Sequence, residues 1–244
     1  ALAAADQAEQ VLAASNPARL PVVHLQRGHC WLDLGQAARA QQSLAAAGDA
    51  LPPHLQARRC LLLARALPRD AAAWRERAAA ALPRHGWPEI ALLVRLEATR
   101  GLDAAPALAA IATLRDEATR LDLRGVRRAA LLRLFERLLG EARGSVGEAA
   151  LTSALDEAAA LQGEAIPGDD VTAALAYVAE LPWLAARLLH QHGRGEEARA
   201  LHERLRRWLG ENTAQQVGEP FRAGYLERQT VNRELLAGLP RAAG

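Results

Sequence analysis

Apolar positions recur with helical spacing along almost the whole chain. In one clear segment Val126, Ala130, Leu134 and Leu138 follow one another at intervals of four residues, which places them on one stripe of a helix. Four more apolar residues widen that stripe: Ala129, Leu132, Phe135 and Leu139. An apolar face this wide needs neighbours on both sides, so the pattern predicts helices packed into a larger helical assembly.

The same pattern predicts a succession of helices separated by Pro and Gly. They are Leu2–Ala14, Leu20–Leu34, Gln36–Ala47, Leu55–Ala66, Ala71–Leu82, Pro88–Thr99, Pro106–Leu121, Gly125–Leu139, Glu148–Leu161, Val171–His190, Glu196–Leu209 and Pro220–Arg228. The connections are short, as at Asp49–Pro53, Pro83–Trp87 and Gln191–Gly195, so consecutive helices are expected to form antiparallel hairpins. Hairpins in series form a solenoid, and the predicted fold class is all-α.

Composition agrees with helix and limits the possible partners. Half of the 244 residues are apolar, mostly Ala and Leu, and only 4% are aromatic, whereas strands favour β-branched and aromatic side chains. All 30 basic residues are Arg, and they nearly balance 28 Asp and Glu to leave a net charge of +2. Without a basic excess, the composition argues against a nucleic-acid surface.

The chain shows no feature of a membrane or secreted protein. No apolar run reaches the 18 or so residues that a spanning helix needs, and no basic segment followed by an apolar one opens the sequence. Cys30 and Cys60 stand alone, so a disulfide is not implied and a reducing, cytoplasmic location is expected. Because the chain contains no Met, even at its first position, we expect it to be a piece of a longer polypeptide.

One segment carries a repeat signature. It runs Gly28, Trp31, a turn at Gly35, then Ala40, Leu44, Ala47 and Pro52. This order of small, aromatic, Ala, large and Pro positions resembles a tetratricopeptide repeat. We expect Gly28 and Ala40 to let two antiparallel helices approach closely, and Trp31 to fill the groove between hairpins. Pro52 is expected to end the second helix.

A second, degenerate copy lies near the other end of the chain. It consists of Ala186, Leu189, a turn at Gly193, Ala198 and Leu205, with the aromatic residue displaced to Trp183 and with His202 in place of a large apolar residue. No clean period of 34 residues connects the two copies. A tetratricopeptide-like array is therefore favoured, and a non-repeating helical bundle stays open as the alternative.

Searches for chemistry find no catalytic, cofactor or metal site. The run from Gly193 to Ala198 has the letters of a dinucleotide-binding loop, but it follows a helix and has two Glu in its first turn, so a tight turn between helices is favoured. A phosphate-binding loop and Schiff-base catalysis both need Lys, which is missing. His24, His29 and Cys30 diverge around a helix without a second pair of ligands, so packing or exposure is favoured over a metal.

Five Arg between residues 124 and 137 form the most basic stretch of the chain. They are Arg124, Arg127, Arg128, Arg133 and Arg137, and the interleaved acids are Asp116, Glu117, Asp122, Glu136 and Glu141. A solvated, salt-bridged face is favoured, and a phosphate-binding patch is the alternative.

The last thirty or so residues carry a further resemblance. Its residues are Pro220, Phe221, Arg222, Tyr225, Leu226, Arg228, Val231, Asn232, Arg233, Leu235 and Leu236. The segment resembles the end of large bacterial signalling ATPases, which are transcriptional activators or cyclase-like regulators. In that family a tetratricopeptide-like arm senses a ligand or partner and restrains the ATPase. A second interpretation is an amphipathic cap whose Phe221, Tyr225 and Leu226 cover the last hairpin.

These interpretations define the expected domains and function. Residues 1–217 are predicted to form the helical-repeat domain and residues 218–244 a capping helix and tail. The candidate partner-binding residues, on the face that the first helix of each hairpin would present, are His29, Asp33, Trp183, Arg187 and Gln191. The expected partner is a protein, a peptide or a small regulatory ligand, together with the rest of a longer chain. A regulatory arm of an ATPase and a free-standing scaffold both stay open, and an enzyme with an unfamiliar helical site is a third alternative.

Overall fold

Thirteen α-helices and no strand make up the part of the chain that the structure describes, which is residues 1–82, 86–140, 148–163 and 177–239. The structure is a computed structural model. The helices are α1 (Leu2–Ser15), α2 (Leu20–Asp33), α3 (Ala37–Ala46), α4 (Pro53–Ala66), α5 (Ala71–Ala81), α6 (Pro88–Ala98), α7 (Ala104–Arg120), α8 (Arg124–Gly140), α9 (Glu148–Gly163), α10 (Glu180–Gln191), α11 (Gly195–Gln216), α12 (Glu219–Arg228) and α13 (Thr230–Ala237). The all-α prediction is confirmed for these residues.

The chain divides into two compact units, residues 1–98 and 99–244. In the first unit α1 packs on α2, and α2 packs against both α3 and α4. Helix α4 also contacts α3, α5 and α6, and α5 contacts α6. Its core is built from fully buried side chains such as Leu25, Leu44, Leu62 and Leu92. Burying one such side chain contributes about 1.5 to 3 kcal/mol relative to leaving it exposed.

In the second unit α7 pairs with α8, and α10 pairs with α11. Helix α8 also packs against α9 and α10, and the apolar core of the unit lies between these three helices around Phe135, Leu151 and Leu188. The last two helices form a pair of their own, and both of them contact α11. The predicted boundary between residues 217 and 218 therefore falls inside this unit, at the start of α12.

Three helix ends share one hydrogen-bonding pattern. After α2, the amide of Gly35 bonds the carbonyl of Leu32 at 3.0 Å, and the amide of Gln36 bonds the carbonyl of Trp31 at 2.8 Å. After α10, the corresponding pairs are Gly193 with His190 at 3.1 Å and Arg194 with Leu189 at 2.9 Å. After α7, they are Asp122 with Thr119 at 3.2 Å and Leu123 with Ala118 at 2.9 Å. Each is the turn in which a residue of positive φ closes a helix end.

The residue of positive φ differs in the third of these turns. Gly35 has a φ of 70° and Gly193 a φ of 81°, which glycine adopts without strain. Asp122 holds the same place with a φ of 51°. Because Asp122 stands where the other two turns have Gly, the sequence predicted a connection between α7 and α8 but not that it has the same geometry.

Two predicted helix ends were wrong. The helix predicted to begin at Val171 begins at Glu180, since Tyr177 to Ala179 form a turn, and residues 171–176 lie outside the described part. The late start puts Pro182 in the first turn of α10, where its missing N–H costs no hydrogen bond. Helix α11 continues past Leu209 to Gln216, because Thr213 and Val217 extend its buried stripe at intervals of four residues.

Pro52 does not end the helix before it. Helix α3 ends at Ala46, and the chain turns at Gly48, whose φ is 76°. Pro52 lies just before α4, and Pro53 is the first residue of that helix, where proline is favoured. Helix α13 was not predicted. In the described ranges no helix has both the length and the hydropathy needed to cross a bilayer.

Candidate functional site

Two of the predicted binding residues lie together in the last turns of α2. His29 is only 7% exposed, and its Nε2 lies 3.1 Å from Oδ2 of Asp33, one turn further along the helix. Across the groove between helices, Nη2 of Arg65 on α4 lies 3.7 Å from Oδ1 of Asp33. The structure therefore brings His29 and Asp33 together and adds a cation from the neighbouring helix.

A second link joins the same two helices. Arg58 on α4 is 8% exposed, and its Nη2 donates a hydrogen bond to Oε1 of Gln26 on α2 at 3.0 Å. Gln26 and Arg58 are 32 positions apart, as are Asp33 and Arg65. The two links thus run in one register along α2 and α4. We call Gln26, His29, Asp33, Arg58 and Arg65 the α2–α4 polar face.

Several buried atoms of this face lack a hydrogen-bond partner within the described part of the chain. They are Nδ1 and Nε2 of His29, Nε of Arg58 and Oδ1 of Asp33. The short distance from His29 to Asp33 does not alter this, because the two groups are not aligned for a hydrogen bond. A buried polar atom without a partner costs about 1 to 3 kcal/mol, so its presence in a fold requires an explanation.

Arg58 is the charged centre of the face. Burial lowers the pKa of its guanidinium, and the nearby carboxylate of Glu89 opposes that shift. A guanidinium remains protonated in proteins even so, and it presents five N–H donors in a fixed plane. Gln26, the residue that Arg58 contacts, is exposed, so the face can be reached from solvent at that point.

The other predicted binding residues lie on α10 and contact the end of the chain. Trp183 is 2% exposed, and its Nε1 donates a hydrogen bond to Oε2 of Glu234 on α13 at 2.9 Å. Nη1 of Arg187 lies 3.4 Å from the same oxygen. Gln191, the last residue of α10, is half-buried. Trp183 is thus a core residue rather than part of an open surface, and a partner could reach it only if α13 moved away.

Helices α12 and α13 are held by a buried polar network. Tyr177 donates a hydrogen bond to Oδ1 of Asn232 at 2.8 Å, and Nδ2 of Asn232 donates to the carbonyl of Tyr225 at 3.0 Å. The hydroxyl of Tyr225 contacts that of Tyr177 and accepts a hydrogen bond from Nδ2 of Asn212 at 3.0 Å. We call Tyr177, Asn212, Tyr225 and Asn232 the C-terminal clasp.

The C-terminal clasp agrees with the interpretation of α12 and α13 as a cap. Tyr225 is buried, and Phe221 and Leu226 are half-buried, as expected of residues that cover a preceding hairpin. His202 of α11, which the sequence placed where a large apolar residue was expected, hydrogen-bonds the carbonyl of Leu235 through Nε2 at 2.9 Å. The end of the chain therefore closes α10 and α11 with polar as well as apolar contacts.

Two further interpretations can be compared with the structure. In the run from Gly193 to Ala198, Gly193 and Arg194 belong to the predicted tight turn between α10 and α11, and Gly195 to Ala198 form the first turn of α11. The guanidinium of Arg194 bonds both oxygens of Glu197 at 2.7 Å. This contact lowers the pKa of Glu197 and raises that of Arg194. Among the described residues, no group of three or more His, Cys, Asp or Glu is arranged to hold a metal.

The Arg-rich stretch has several of the ion pairs that were predicted for a salt-bridged face. Arg124 pairs with Asp122, Arg127 with Glu157, and Arg133 with Glu136. Arg128 also donates to the carbonyl of Val178 at 2.7 Å, and Arg137 donates to the carbonyls of Thr99, Arg100 and Leu102. Glu141 lies outside the described residues. Two of the five cations are thus held by backbone oxygens.

When the chain is compared with models of known protein families, with curated proteins and with solved structures, none of them matches it. The resemblances to tetratricopeptide repeats and to bacterial signalling ATPases therefore stay predictions. Function has to be inferred from the residues of the chain itself.

The sequence alone did not reveal Gln26, Arg58 or Glu234 as members of these sites. Gln26 and Arg58 have the same separation as Asp33 and Arg65, but that separation is recognised only once α2 is known to pack on α4. The contact of Glu234 could not be predicted from the sequence. Its partner Trp183 lies on α10, and two helices separate α10 from α13, on which Glu234 lies.

Proposed function

We propose that this chain is a non-catalytic binding domain of stacked, tetratricopeptide-like helical repeats, and that the α2–α4 polar face contacts a protein or peptide partner. One observation carries the proposal. His29 and Arg58 are more than nine-tenths buried and yet keep polar atoms that pair with no described residue. A partner that supplies hydrogen-bond acceptors at this face would remove the cost of those atoms.

The repeat part of the proposal rests on packing in the first unit. Helices α2 and α4 keep a constant register, since two side-chain links join residues with the same separation. Helix α4 contacts the helices on either side of it and also α2 and α6, which are the next but one in sequence. In a stack of hairpins each repeat contacts only its neighbours in this way. The common turn after α2, α7 and α10 supports the same arrangement.

The composition of the face indicates which partner atoms it would bind. Arg58 and Arg65 lie seven residues apart on α4, about 10 Å along the helix axis, and His29 lies on the facing helix. Guanidinium groups bind carboxylates and backbone carbonyls, and an imidazole can donate or accept. An extended peptide that carries an acidic side chain offers both kinds of acceptor at this spacing. We therefore favour such a peptide over a small apolar ligand.

The cellular role that we favour is a regulatory arm of a larger bacterial signalling ATPase. Its support is the resemblance of the final segment, from Pro220 to Leu236, to the ends of such proteins. The reading frame upstream of this sequence would distinguish this role from that of a free-standing scaffold. An upstream phosphate-binding loop with Lys in the same reading frame would support the arm, and a start codon directly before Ala1 would support the scaffold. An isolated chain that hydrolysed nucleotides would contradict the non-catalytic assignment.

The binding proposal is tested by replacing Arg58 with Met. The substitution Arg58→Met keeps the length of the side chain but removes its charge. Because a buried charge with an unpartnered N–H destabilises the free fold, we expect an equal or higher Tm. Partner binding, however, should be lost. Proteins captured from a lysate of the source cells by wild type and by Arg58→Met are to be compared by quantitative mass spectrometry.

The matched control is Arg69→Met, which removes the same charge from an exposed residue of the first unit. A partner that uses the polar face should be captured by wild type and by Arg69→Met and be lost with Arg58→Met. If every captured protein is retained by Arg58→Met while that variant stays folded, the polar face does not bind a partner.

A further inference from the structure

An apolar groove in the second unit lies between α9 and α11. Both helices pack on α10, which forms the floor of the groove with Ala185 and Leu189. The walls include Leu155 and Ala158 of α9 and Leu201 of α11, and the volume is about 320 Å³. This volume lies within the range of roughly 300 to 1,000 Å³ that is typical of sites for small molecules.

The groove exposes apolar surface of the core. Leu155 and Leu201 pack against the core cluster of this unit, but both are only half-buried, so part of each side chain stays uncovered. Ala158 and Ala185, which also line the groove, are buried and end at Cβ. Because these two side chains are short, the space beside the leucines stays open. An apolar ligand that covered this surface would remove it from water, which favours binding.

One cation of the rim is already compensated within the unit. Arg194, in the turn before α11, bonds both carboxylate oxygens of Glu197 at 2.7 Å, and its Nη1 lies 3.5 Å from Oγ1 of Thr152 on α9. The hydrogen bond to Glu197 raises the pKa of Arg194, and the carboxylate of Asp156 raises it further. The charge of Arg194 is thus balanced by carboxylates that also line the groove.

Arg204 is the other cation among the described residues that line the groove. It lies on α11, seven residues after Glu197 and about 10 Å further along the helix axis. Its side chain is exposed, and it has neither an ion pair nor a hydrogen bond with any described residue. A guanidinium presents paired N–H donors that match the two oxygens of a carboxylate. The apolar groove therefore lies next to a cation that can bind an anionic group.

We propose that this groove binds a medium-chain monocarboxylic acid, with its alkyl chain between α9 and α11 and its carboxylate on Arg204. The site favours an apolar body because its floor and much of its walls are Ala and Leu. It favours an anion over an amine, because Arg194 already compensates Asp156, whereas Arg204 pairs with no described carboxylate. A single negative charge fits better than a phosphate, since the two Arg, one Asp and one Glu of the described lining carry no net charge.

A protein partner fits this groove less well. The groove extends from Glu197 to Arg204, which is about two turns of α11, whereas a stable protein interface covers about 800 Å² on each partner. An extended alkyl chain of moderate length, as in octanoate, matches the groove better. The groove shares no residue with the α2–α4 polar face, so this proposal stands independently of the proposed function.

The first experiment uses octanoate as the probe. Binding to the full 244-residue chain is to be followed by isothermal calorimetry and by ¹⁵N NMR at constant pH and ionic strength. We expect saturable binding, with shifts centred on residues 155–159, 185–189 and 197–204. Each buried CH₂ group changes the affinity about fourfold, so butanoate should bind at least about tenfold more weakly. Octylamine and 1-octanol lack the carboxylate and should bind about threefold to tenfold more weakly than octanoate.

Two substitutions on α11 test the role of Arg204. Arg204→Gln should weaken octanoate binding by about threefold to tenfold, because one charge-assisted contact is lost, and should change 1-octanol binding by less than about twofold. Arg206→Gln is the matched control, since it makes the same change at an exposed residue of the same helix that does not line the groove. It should alter octanoate binding by less than about twofold.

A third substitution tests the apolar part of the groove. Ala200 is an exposed residue of the α11 wall, so a larger side chain there does not disturb the core. Ala200→Leu should weaken the binding of both octanoate and 1-octanol by about fourfold or more, because the added side chain takes the place of at least one buried CH₂ group of the ligand.

The binding of 1-octanol by Arg204→Gln protects the test against misfolding, because an unfolded variant would lose both ligands. The proposal is overturned if wild type shows no saturable binding of octanoate, or if octylamine binds as tightly as octanoate. It is also overturned if Arg206→Gln weakens octanoate binding as much as Arg204→Gln does, or if Ala200→Leu leaves binding unchanged.

Discussion

A Cβ atom placed on Gly28 of α2 would lie 2.7 Å from Cδ2 of Leu44 on α3. It would also lie 3.4 Å from the carbonyl oxygen of Ala40. Leu44 and Ala40 are fully buried, so neither has room to move away. The first hairpin thus needs a residue without a side chain at position 28, and the close approach that the sequence predicted for Gly28 and Ala40 is confirmed.

Gly28→Ala should destabilise the protein by about 1 to 3 kcal/mol, the usual cost of an additional carbon in a packed core. Alanine has a better helix propensity than glycine by about 1 kcal/mol, so the clash has to exceed that gain. Urea unfolding followed by circular dichroism measures the change. Gly210→Ala is the control, because this helical position has nothing within 4 Å of its added Cβ, and it should be stabilising. Equal effects of the two substitutions would contradict the close packing.

Asp122→Gly should stabilise the second unit. Asp122 has a φ of 51° in a turn where the two equivalent positions are Gly35 and Gly193, and this conformation costs an L-residue about 1 kcal/mol. Its carboxylate is 80% exposed and lies 3.8 Å from Arg124, a contact of small value. Asp122→Ala removes the same carboxylate but retains the Cβ, so it should not share the gain. Thermal unfolding of both variants tests this, and a higher Tm for Asp122→Ala would argue against the strain.

Asn232→Ala should loosen the C-terminal clasp. Asn232 is fully buried, and its loss leaves the hydroxyl of Tyr177 and the carbonyl of Tyr225 each without one partner. We expect a loss of about 2 to 4 kcal/mol in the free energy of unfolding. Asn212→Ala, which removes one half-buried hydrogen bond to Tyr225, should cost only about 1 kcal/mol. Faster amide exchange confined to α12 and α13 would locate the effect, whereas unchanged exchange there would refute it.

Both cysteines should react slowly with iodoacetamide in the folded protein. Burial raises the pKa of the thiols of Cys30 and Cys60, and Asp33 raises that of Cys30 further, so less thiolate exists at pH 8 than in the unfolded chain. Cys60 is buried and Cys30 is partly exposed, so Cys60 should be the slower. Alkylation followed by peptide mass spectrometry gives both rates. In concentrated guanidinium the two rates should become equal, and a fast native reaction at Cys60 would contradict its burial.

The raised thiol pKa values also make the free energy of unfolding depend on pH. Because the folded pKa lies above the unfolded value, which is about 8.5, the contribution of the neutral thiols is present below that pH and declines as the pH rises through the folded value. Unfolding measured at pH 7 and at pH 10 should therefore show a loss of stability at pH 10 that is smaller in Cys60→Ser, in which only Cys30 contributes. An equal loss in that variant would assign the pH dependence to other groups.

Local patterns determined much of the fold. Helical spacing of Ala and Leu predicted most helices of the described part, because burial along one stripe decides whether a helix forms. The failures share a physical cause. Helix α11 runs through Gly210 to Gln216, since Thr213 and Val217 find burial there that no local signal shows. The connection after α7 was predicted, but its likeness to the other two turns was not, because Asp122 replaces the glycine that marks them.

The sequence by itself determined an all-helical chain, the hairpin at Gly28 and Leu44, and the candidate pair His29 and Asp33. Each of these depends on residues that are close along the chain or follow one spacing rule. Only the tertiary structure decided that Arg65 meets Asp33 and Arg58 meets Gln26, that Glu234 bonds Trp183, and that Arg100, Arg133 and Arg137 line one cavity. These contacts link helices distant in sequence, and their existence depends on how side chains pack between helices, which no periodicity encodes.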